Sequence, residues 1–95
     1  MKTQIFAVYD VKAEVFNTPF FMKTVGLALR GFEDLVTEKG HAFNIHPEDY
    51  ILHHMGEWED EKGIITAFDI KKPLCSGLDF KTEADIPNLL KEQAE

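Results

Sequence analysis

The chain has 95 residues, a net charge of −7 and 44% hydrophobic residues, which predicts a single domain with one modest core. It contains no apolar run of about 18 residues that could span a membrane and no apparent signal peptide, and its one cysteine, Cys75, cannot form an internal disulfide. We therefore expect a soluble cytoplasmic protein. The acidic balance argues against a protein that coats nucleic acid through bulk charge.

Charge is nevertheless distributed unevenly along the chain. Residues 1–30 carry four basic side chains against two acidic ones, whereas residues 48–69 carry seven acidic side chains against Lys62. A local basic face in the N-terminal third is therefore possible, beside the simpler interpretation that these are scattered, solvated charges.

The first predicted element is a strand over residues 2–12, KTQIFAVYDVK, whose apolar side chains fall on both faces, as in an interior strand. Residues 13–21 are expected to be extended, with Pro19 breaking any regular element. A helix follows, because apolar residues recur at steps of three and four: Val25, Ala28, Leu29, Phe32, Leu35 and Val36. Thr24 is placed to cap its start and Gly40 to end it.

The second half predicts a loop over residues 41–48, a strand DYILHHMGEWE, a turn EDEKG and an antiparallel partner GIITAFDI that ends at residue 70. DIPNLLKEQ predicts a short helix after an irregular stretch. The fold class is therefore α+β: a small β-α-β-β domain over residues 1–70, with a mainly antiparallel sheet packed on one main helix. Residues 71–95 are expected to form a C-terminal extension with the short helix.

The histidines are concentrated in HPEDYILHHMGEWEDEKG, residues 46–63, which raises the question of a metal site. Adjacent His53 and His54 should point to opposite faces of a strand, so they cannot share one ion. No Cys-x-x-Cys, His-x-His or His-Glu-x-x-His spacing is present. A site built from His41, His46, one strand histidine and a carboxylate remains the alternative, but we predict no metal.

The sequence contains no recognisable set of catalytic residues. Ser76 is the only serine, and neither it nor Cys75 has a basic partner nearby in the sequence. The carboxylates around the predicted turn should splay into solvent and not converge on a cation. We therefore predict that the protein is not an enzyme and uses no cofactor.

Three stretches in a fixed order carry a resemblance to a known family: NTPFF (17–21), T-x-G-x-A-x-R-x-F (24–32), and HPED-x-x-L (46–52) followed by G-x-WEDEKG (56–63). Together with the opening KTQIFAVYD, they resemble the small nonstructural, DNA-binding-type protein of gokushovirus-type microviruses, which are tailless phages with circular single-stranded DNA genomes. The resemblance covers roughly residues 1–70.

This resemblance implies a role in the cytoplasm of the infected bacterial host and not in the virion shell. Such proteins are thought to help switch replication from double-stranded intermediates to single-stranded genome synthesis and packaging. The family has no agreed catalytic residues that could be transferred to this chain.

Single-stranded DNA is held by cations on its phosphates and by aromatic rings on its bases. The N-terminal third supplies both kinds of group, and the candidate nucleic-acid-binding residues are Lys2, Lys12, Phe20, Phe21, Lys23 and Arg30. Adjacent phenylalanines in an extended segment cannot both enter one core unless the segment is covered on both sides. We therefore expect one ring to contact a base or a neighbouring subunit, the alternative being that both fill core gaps.

A second hypothesis is a non-catalytic adaptor that never touches DNA. It would bind the phage initiator or host replication proteins through its acidic hairpin, at Trp58, Glu59, Asp60 and Glu61. Under either hypothesis, the small size and the two-sided apolar strands predict a homo-oligomer. An oligomer could gather basic stretches around a groove while the acidic hairpins face outward.

Overall fold

The computed structural model describes residues 1–81, which form an α+β domain with an antiparallel sheet and one main helix. The strands are β1 (Lys2–Asp10), β2 (Val15–Phe16), β3 (Phe20–Met22), β4 (Tyr50–Glu59) and β5 (Ile64–Ser76). β1 pairs with β4 along one edge and with both β2 and β3 along the other, and β5 pairs with β4 at the far side of the sheet. No helix within residues 1–81 is long and apolar enough to cross a membrane.

The prediction that β1 is an interior strand is confirmed. Residues 13–21 contain extended backbone, as predicted, but the expectation that Pro19 breaks any regular element there is wrong. Two short strands form there because the outer edge of β1 presents backbone N–H and C=O groups that require partners. Pro19 lies in the gap between β2 and β3, so it interrupts pairing only locally. The β1–β2 turn is stabilised by the Asp10 carboxylate, which accepts hydrogen bonds from the backbone N–H groups of Lys12 and Ala13.

The main helix, α1 (Val25–Thr37), begins as predicted at Thr24, whose Oγ1 accepts a hydrogen bond of 3.1 Å from the Leu27 N–H. It ends three residues before Gly40, which adopts a left-handed φ of 88° in the following loop. The predicted loop over residues 41–48 instead contains a short helix, α2 (Ala42–Ile45), and the start of a 3-10 turn over Pro47–Asp49.

The core lies between the helices and one face of the sheet. It consists of Phe6, Val8, Ala28, Phe32, Val36, Phe43 and Leu52. We call this side, which bears Phe6, Val8 and Leu52, the helix face, and the opposite side, which bears Thr3, Ile5, Ala7 and Tyr9, the open face.

β5 continues beyond Ile70, where the sequence predicted its end, and so crosses the predicted boundary of the domain. The predicted irregular structure after residue 70 is therefore wrong as far as Ser76. The reason is a large bulge: His54 pairs with Lys72 and Gly56 with Ala67, so residues 68–71 stand opposite Met55 alone. A bulge interrupts the alternation from which a strand is recognised. Beyond β5, a 3-10 turn (Gly77–Phe80) returns to the core; the predicted helix over residues 85–93 lies outside the described residues.

Candidate nucleic-acid interface

The open face carries a set of aromatic side chains that the strand register brings together. Residues directly opposite each other on antiparallel strands share a face, and the register sets Thr3 opposite Trp58, Ile5 opposite Phe21 and Tyr9 opposite Phe16. The rings on this face belong to Tyr9, Phe16, Phe21, His53 and Trp58. Because α1 packs on the other side, no helix covers these rings: Phe16 and Phe21 are 40% and 50% exposed, and the other three are half-buried. Between the two ends of the face, Ile5 and Ala7 are buried by their neighbours.

At one end of the open face, three rings form a cluster. The ring centroids of Tyr9 and Phe16 lie 4.8 Å apart, and those of Phe16 and His53 lie 5.2 Å apart in an edge-to-face arrangement. We call Tyr9, Phe16 and His53 the aromatic cluster. Sequence reasoning did not find it, because the register of β2 on β1 depends on a turn whose geometry no local pattern announces.

At the other end of the open face, Phe21 and Trp58 line a shallow apolar concavity of ≈ 480 Å³ together with Thr3 and Ile65. Thr3 and Tyr9 mark the two ends along β1, and six residues of strand place them about 20 Å apart. The open face therefore offers two separate aromatic surfaces along one strand.

The two adjacent phenylalanines divide between the two faces. Phe20 lies on the helix face, where its ring stacks on that of Phe6 with centroids 5.8 Å apart. Phe21 lies on the open face and borders the concavity. The segment is therefore covered on one side only, which leaves Phe21 accessible to a ligand while Phe20 contributes to the core.

The candidate cations are exposed but spread over the molecule. Lys2 lies at the hairpin end of β1, with its Nζ 3.9 Å from Glu57 Oε2, whereas Lys12 lies in the turn at the other end of that strand. Lys23 directly follows β3. Arg30 is exposed on α1 and so belongs to the helix layer, away from the open face. The structure thus places the lysines near the ends of the strands, with Lys2 on the helix-face side of β1, and does not collect these four residues into one patch.

The acidic hairpin residues of the adaptor hypothesis are separated from Trp58. The indole lines the open-face concavity, whereas Glu59 ends β4 and Asp60 and Glu61 are exposed in the turn beyond it. The Asp60 Oδ1 atom accepts a hydrogen bond of 2.7 Å from the N-terminal ammonium of Met1. That contact lowers the pKa of Asp60 and raises the pKa of the ammonium group.

The strand histidines point to opposite faces, as alternation predicts. His54 lies on the helix face, with its ring stacked on Phe6 at 4.9 Å and its Nε2 atom 2.8 Å from Gln4 Oε1. Burial lowers the pKa of His54, and the nearby Lys72 ammonium adds to this effect. The neutral imidazole can then donate from Nε2 to the Gln4 carbonyl oxygen.

His41 and His46 occupy separate positions near α2. His41 Nδ1 accepts a hydrogen bond from the Phe43 N–H and so caps α2. His46 lies with Glu48 and Asp49, whose ligand-type atoms all fall within 4.8 Å of one another. Of the histidines in the alternative metal site, the described structure brings only His46 into a cluster with carboxylates. These three are residue types that can bind a divalent cation, although His46 is exposed to solvent.

An α+β domain with an aromatic, uncovered sheet face is the class of protein that this geometry defines. A family model described as Phage ORF5 protein matches residues 3–80, from β1 to the end of the last 3-10 turn. The chain therefore belongs to the phage ORF5 protein family. No curated protein and no solved structure matches the chain.

Proposed function

We propose that this phage protein is a non-enzymatic, nonstructural protein that binds single-stranded DNA on the open face of its sheet. The observation that supports it is the exposure of aromatic rings at both ends of that face, Phe21 and Trp58 at one end and the aromatic cluster at the other. Stacking of a base on an aromatic ring contributes ~1–3 kcal/mol and tolerates any base. Sheets that display aromatic rings serve as platforms for unpaired bases in other nucleic-acid-binding modules.

Phosphate contacts would come from lysines at the ends of the strands, Lys2, Lys12 and Lys23, with Arg30 available only to a strand that wraps around the helix layer. A net charge of −7 opposes tight binding of a polyanion, so binding should be modest and strongly salt-dependent. Within the infected bacterium, and by its resemblance to the gokushovirus-type proteins, the chain would help switch replication from double-stranded intermediates to single-stranded genome synthesis and packaging.

The first test is a titration of a fluorescent single-stranded oligonucleotide at low and at physiological salt, beside a duplex of the same length. The proposal expects saturable binding that prefers the single strand and weakens with salt. No binding at low salt, where even weak phosphate contacts contribute, would overturn it.

The open face itself is tested by Phe21→Ala, with Leu27→Ala as the matched control. Leu27 is 40% exposed on α1, so both variants remove a partly exposed apolar side chain, but from opposite sides of the domain. Phe21→Ala should weaken binding about 5- to 150-fold, the range expected for one lost stacking contact. Leu27→Ala should leave the affinity unchanged, and equal losses in the two variants would contradict binding on the open face.

The cations are tested through the salt dependence of binding. Each phosphate contact with a single strand contributes about 0.7 to the slope of log affinity against log salt concentration. The double variant Lys12→Ala/Lys23→Ala should therefore lower the slope by about 1.4, whereas Arg30→Ala should leave it unchanged if the DNA follows the open face. A slope that changes only with Arg30→Ala would place the DNA on the helix layer.

A second candidate function is the adaptor, which the exposure of the acidic turn favours. Asp60 and Glu61 have side chains that are 56% and 78% exposed at the end of the β4–β5 hairpin, where a basic surface of the phage initiator or of a host replication protein could reach them. Reversal of Glu59, Asp60 and Glu61 to lysine should abolish capture of such a partner while leaving the aromatic open face intact. Retained capture would contradict this version.

A further inference from the structure

The edges of the sheet differ in how well they are protected against pairing with another strand. Exposed edges present unpaired N–H and C=O groups, and natural proteins block them with lysine, proline, bulges or very short strands. The edge formed by β2 and β3 consists of strands of two and three residues separated by a segment that contains Pro19. That edge is therefore short and interrupted.

β5, the opposite edge, is protected over most of its length but not at its start. The part from residue 68 onwards contains the bulge over residues 68–71, the exposed Lys71 and Lys72, and Pro73. The first four residues, Ile64–Ala67, pair regularly with β4 and contain no lysine, proline or bulge. Ile64 and Ile65 in this segment are 47% and 63% exposed, so a short, apolar, regular stretch of edge strand faces solvent.

We propose that the first segment of β5, Ile64–Ala67, is the interface with a second copy of this chain, pairing antiparallel to its counterpart across a two-fold axis near Thr66. A two-fold axis perpendicular to the sheet keeps corresponding residues of the two copies on the same face. One residue must therefore lie opposite the same residue of the second copy. With Thr66 at that position, Ile65 lies opposite Ala67 of the second copy, and Ile64 lies beside Phe68, the first residue of the bulge. The exposed apolar stretch of each copy is then covered by the same stretch of the other copy.

Charge complementarity supports the same register. The same alignment sets the acidic turn of one copy, which contains Glu59, Asp60 and Glu61 against Lys62 (net −2), beside residues 69–72 of the other. That segment contains Lys71 and Lys72 against Asp69 (net +1). Because the arrangement is symmetric, the favourable contact occurs twice. A second copy therefore fits this edge better than an unrelated strand would.

The pairing would also join the two open faces into one surface. Ile65, which borders the concavity with Phe21 and Trp58, lies next to the axis, so the concavities of both copies would adjoin. This inference does not depend on DNA binding, because its tests measure mass and proximity alone.

The first experiment measures molar mass by light scattering across a range of protein concentrations, for the unaltered chain and for two variants. Ile64→Lys adds a charge to the proposed interface, and Val15→Lys adds the same charge at a similarly exposed β-branched residue on the other edge. The dimer should form in the unaltered chain and in Val15→Lys. Ile64→Lys should weaken the dimer and raise its dissociation constant at least about tenfold. A monomer at every concentration of the unaltered chain would overturn the proposal.

The second experiment tests the register by cysteine cross-linking. Residues opposite each other on antiparallel strands have Cα atoms about 4.5–5.5 Å apart, within the range of a disulfide, so Thr66→Cys should yield a covalent dimer under mild oxidation. Ala67→Cys is the control, since its counterpart in the second copy would lie about 8 Å away, beyond disulfide reach. The native Cys75 can remain, because burial raises the pKa of its thiol to about 11. A dimer that the Thr66→Cys variant fails to cross-link would place the interface elsewhere and overturn the proposal.

Discussion

The two faces of the sheet differ in how far other parts of the protein cover them. On the helix face, Phe6 and Leu52 are fully buried under α1 and α2, whereas on the open face Phe21 and Trp58 line a concavity that faces solvent. Alternate residues of β1 serve both faces, and they are apolar on each side. The comparison shows that apolar residues on both faces of a strand do not establish two cores, since helices can cover one face and leave the other without a covering layer.

The largest expected effect follows from the burial of the helix face. Phe32 is 2% exposed and contacts Phe43 and Phe80, so Phe32→Ala should lower the free energy of unfolding by about 3–5 kcal/mol. Phe21→Ala on the open face should cost much less, because half of that ring is already in water. Chemical denaturation of both variants measures the difference. Equal losses would mean that the open face is a second core.

A second prediction concerns the close pairing of β4 and β5. A Cβ atom added at Gly56 would collide with the backbone carbonyl oxygen of Thr66, so Gly56→Ala should destabilise the domain by about 1–3 kcal/mol. Gly26→Ala is the control, since its new Cβ would approach only Thr24 Oγ1 at 3.8 Å. Alanine favours the helix, and that variant should be neutral or more stable by up to about 1 kcal/mol. Denaturant midpoints that fall equally for both would contradict the strand-specific collision.

A smaller effect is expected at the start of α1, which forms the helix face. Thr24→Ala removes the side-chain acceptor of the Leu27 N–H and should cost about 1 kcal/mol of stability. Thr24→Ser keeps the hydroxyl and serves as the control in thermal unfolding. If serine proves as damaging as alanine, the hydroxyl cap does not stabilise the helix.

The last prediction uses His54, whose ring is held on the helix face. Because burial lowers its pKa from the ordinary value of 6.5, the unfolded chain binds a proton more readily than the folded one. The contribution to stability is therefore present above about pH 6.5 and is lost as the pH falls through that value towards the lower folded pKa. His54→Phe keeps a ring between Phe6 and Phe68 and should flatten this dependence. A ring resonance assigned to His54 that titrates above pH 6.5 would contradict the burial argument.

Local patterns predicted the main elements well and the candidate site only in part. Thr24, the apolar stripe of α1 and the EDEKG turn between β4 and β5 are properties of neighbouring residues, and these elements formed where expected. Phe21 was a candidate from the start, but its separation from Phe20 required the knowledge that only one side of β3 is covered. His53 and Phe16 were missed as a pair because they are 37 positions apart in the sequence and meet only through β1.

The sequence by itself therefore determined the helix, the central strand, the hairpin and the α+β class, because turn residues and hydrophobic periodicity act over a few positions. Tertiary structure decided which face of the sheet stays open, that Val15–Phe16 and Phe20–Met22 form strands on the edge of β1, and that β5 continues beyond its bulge to Ser76. These features depend on hydrogen bonds and packing between segments far apart in the chain. Such contacts form only when the whole sheet is assembled.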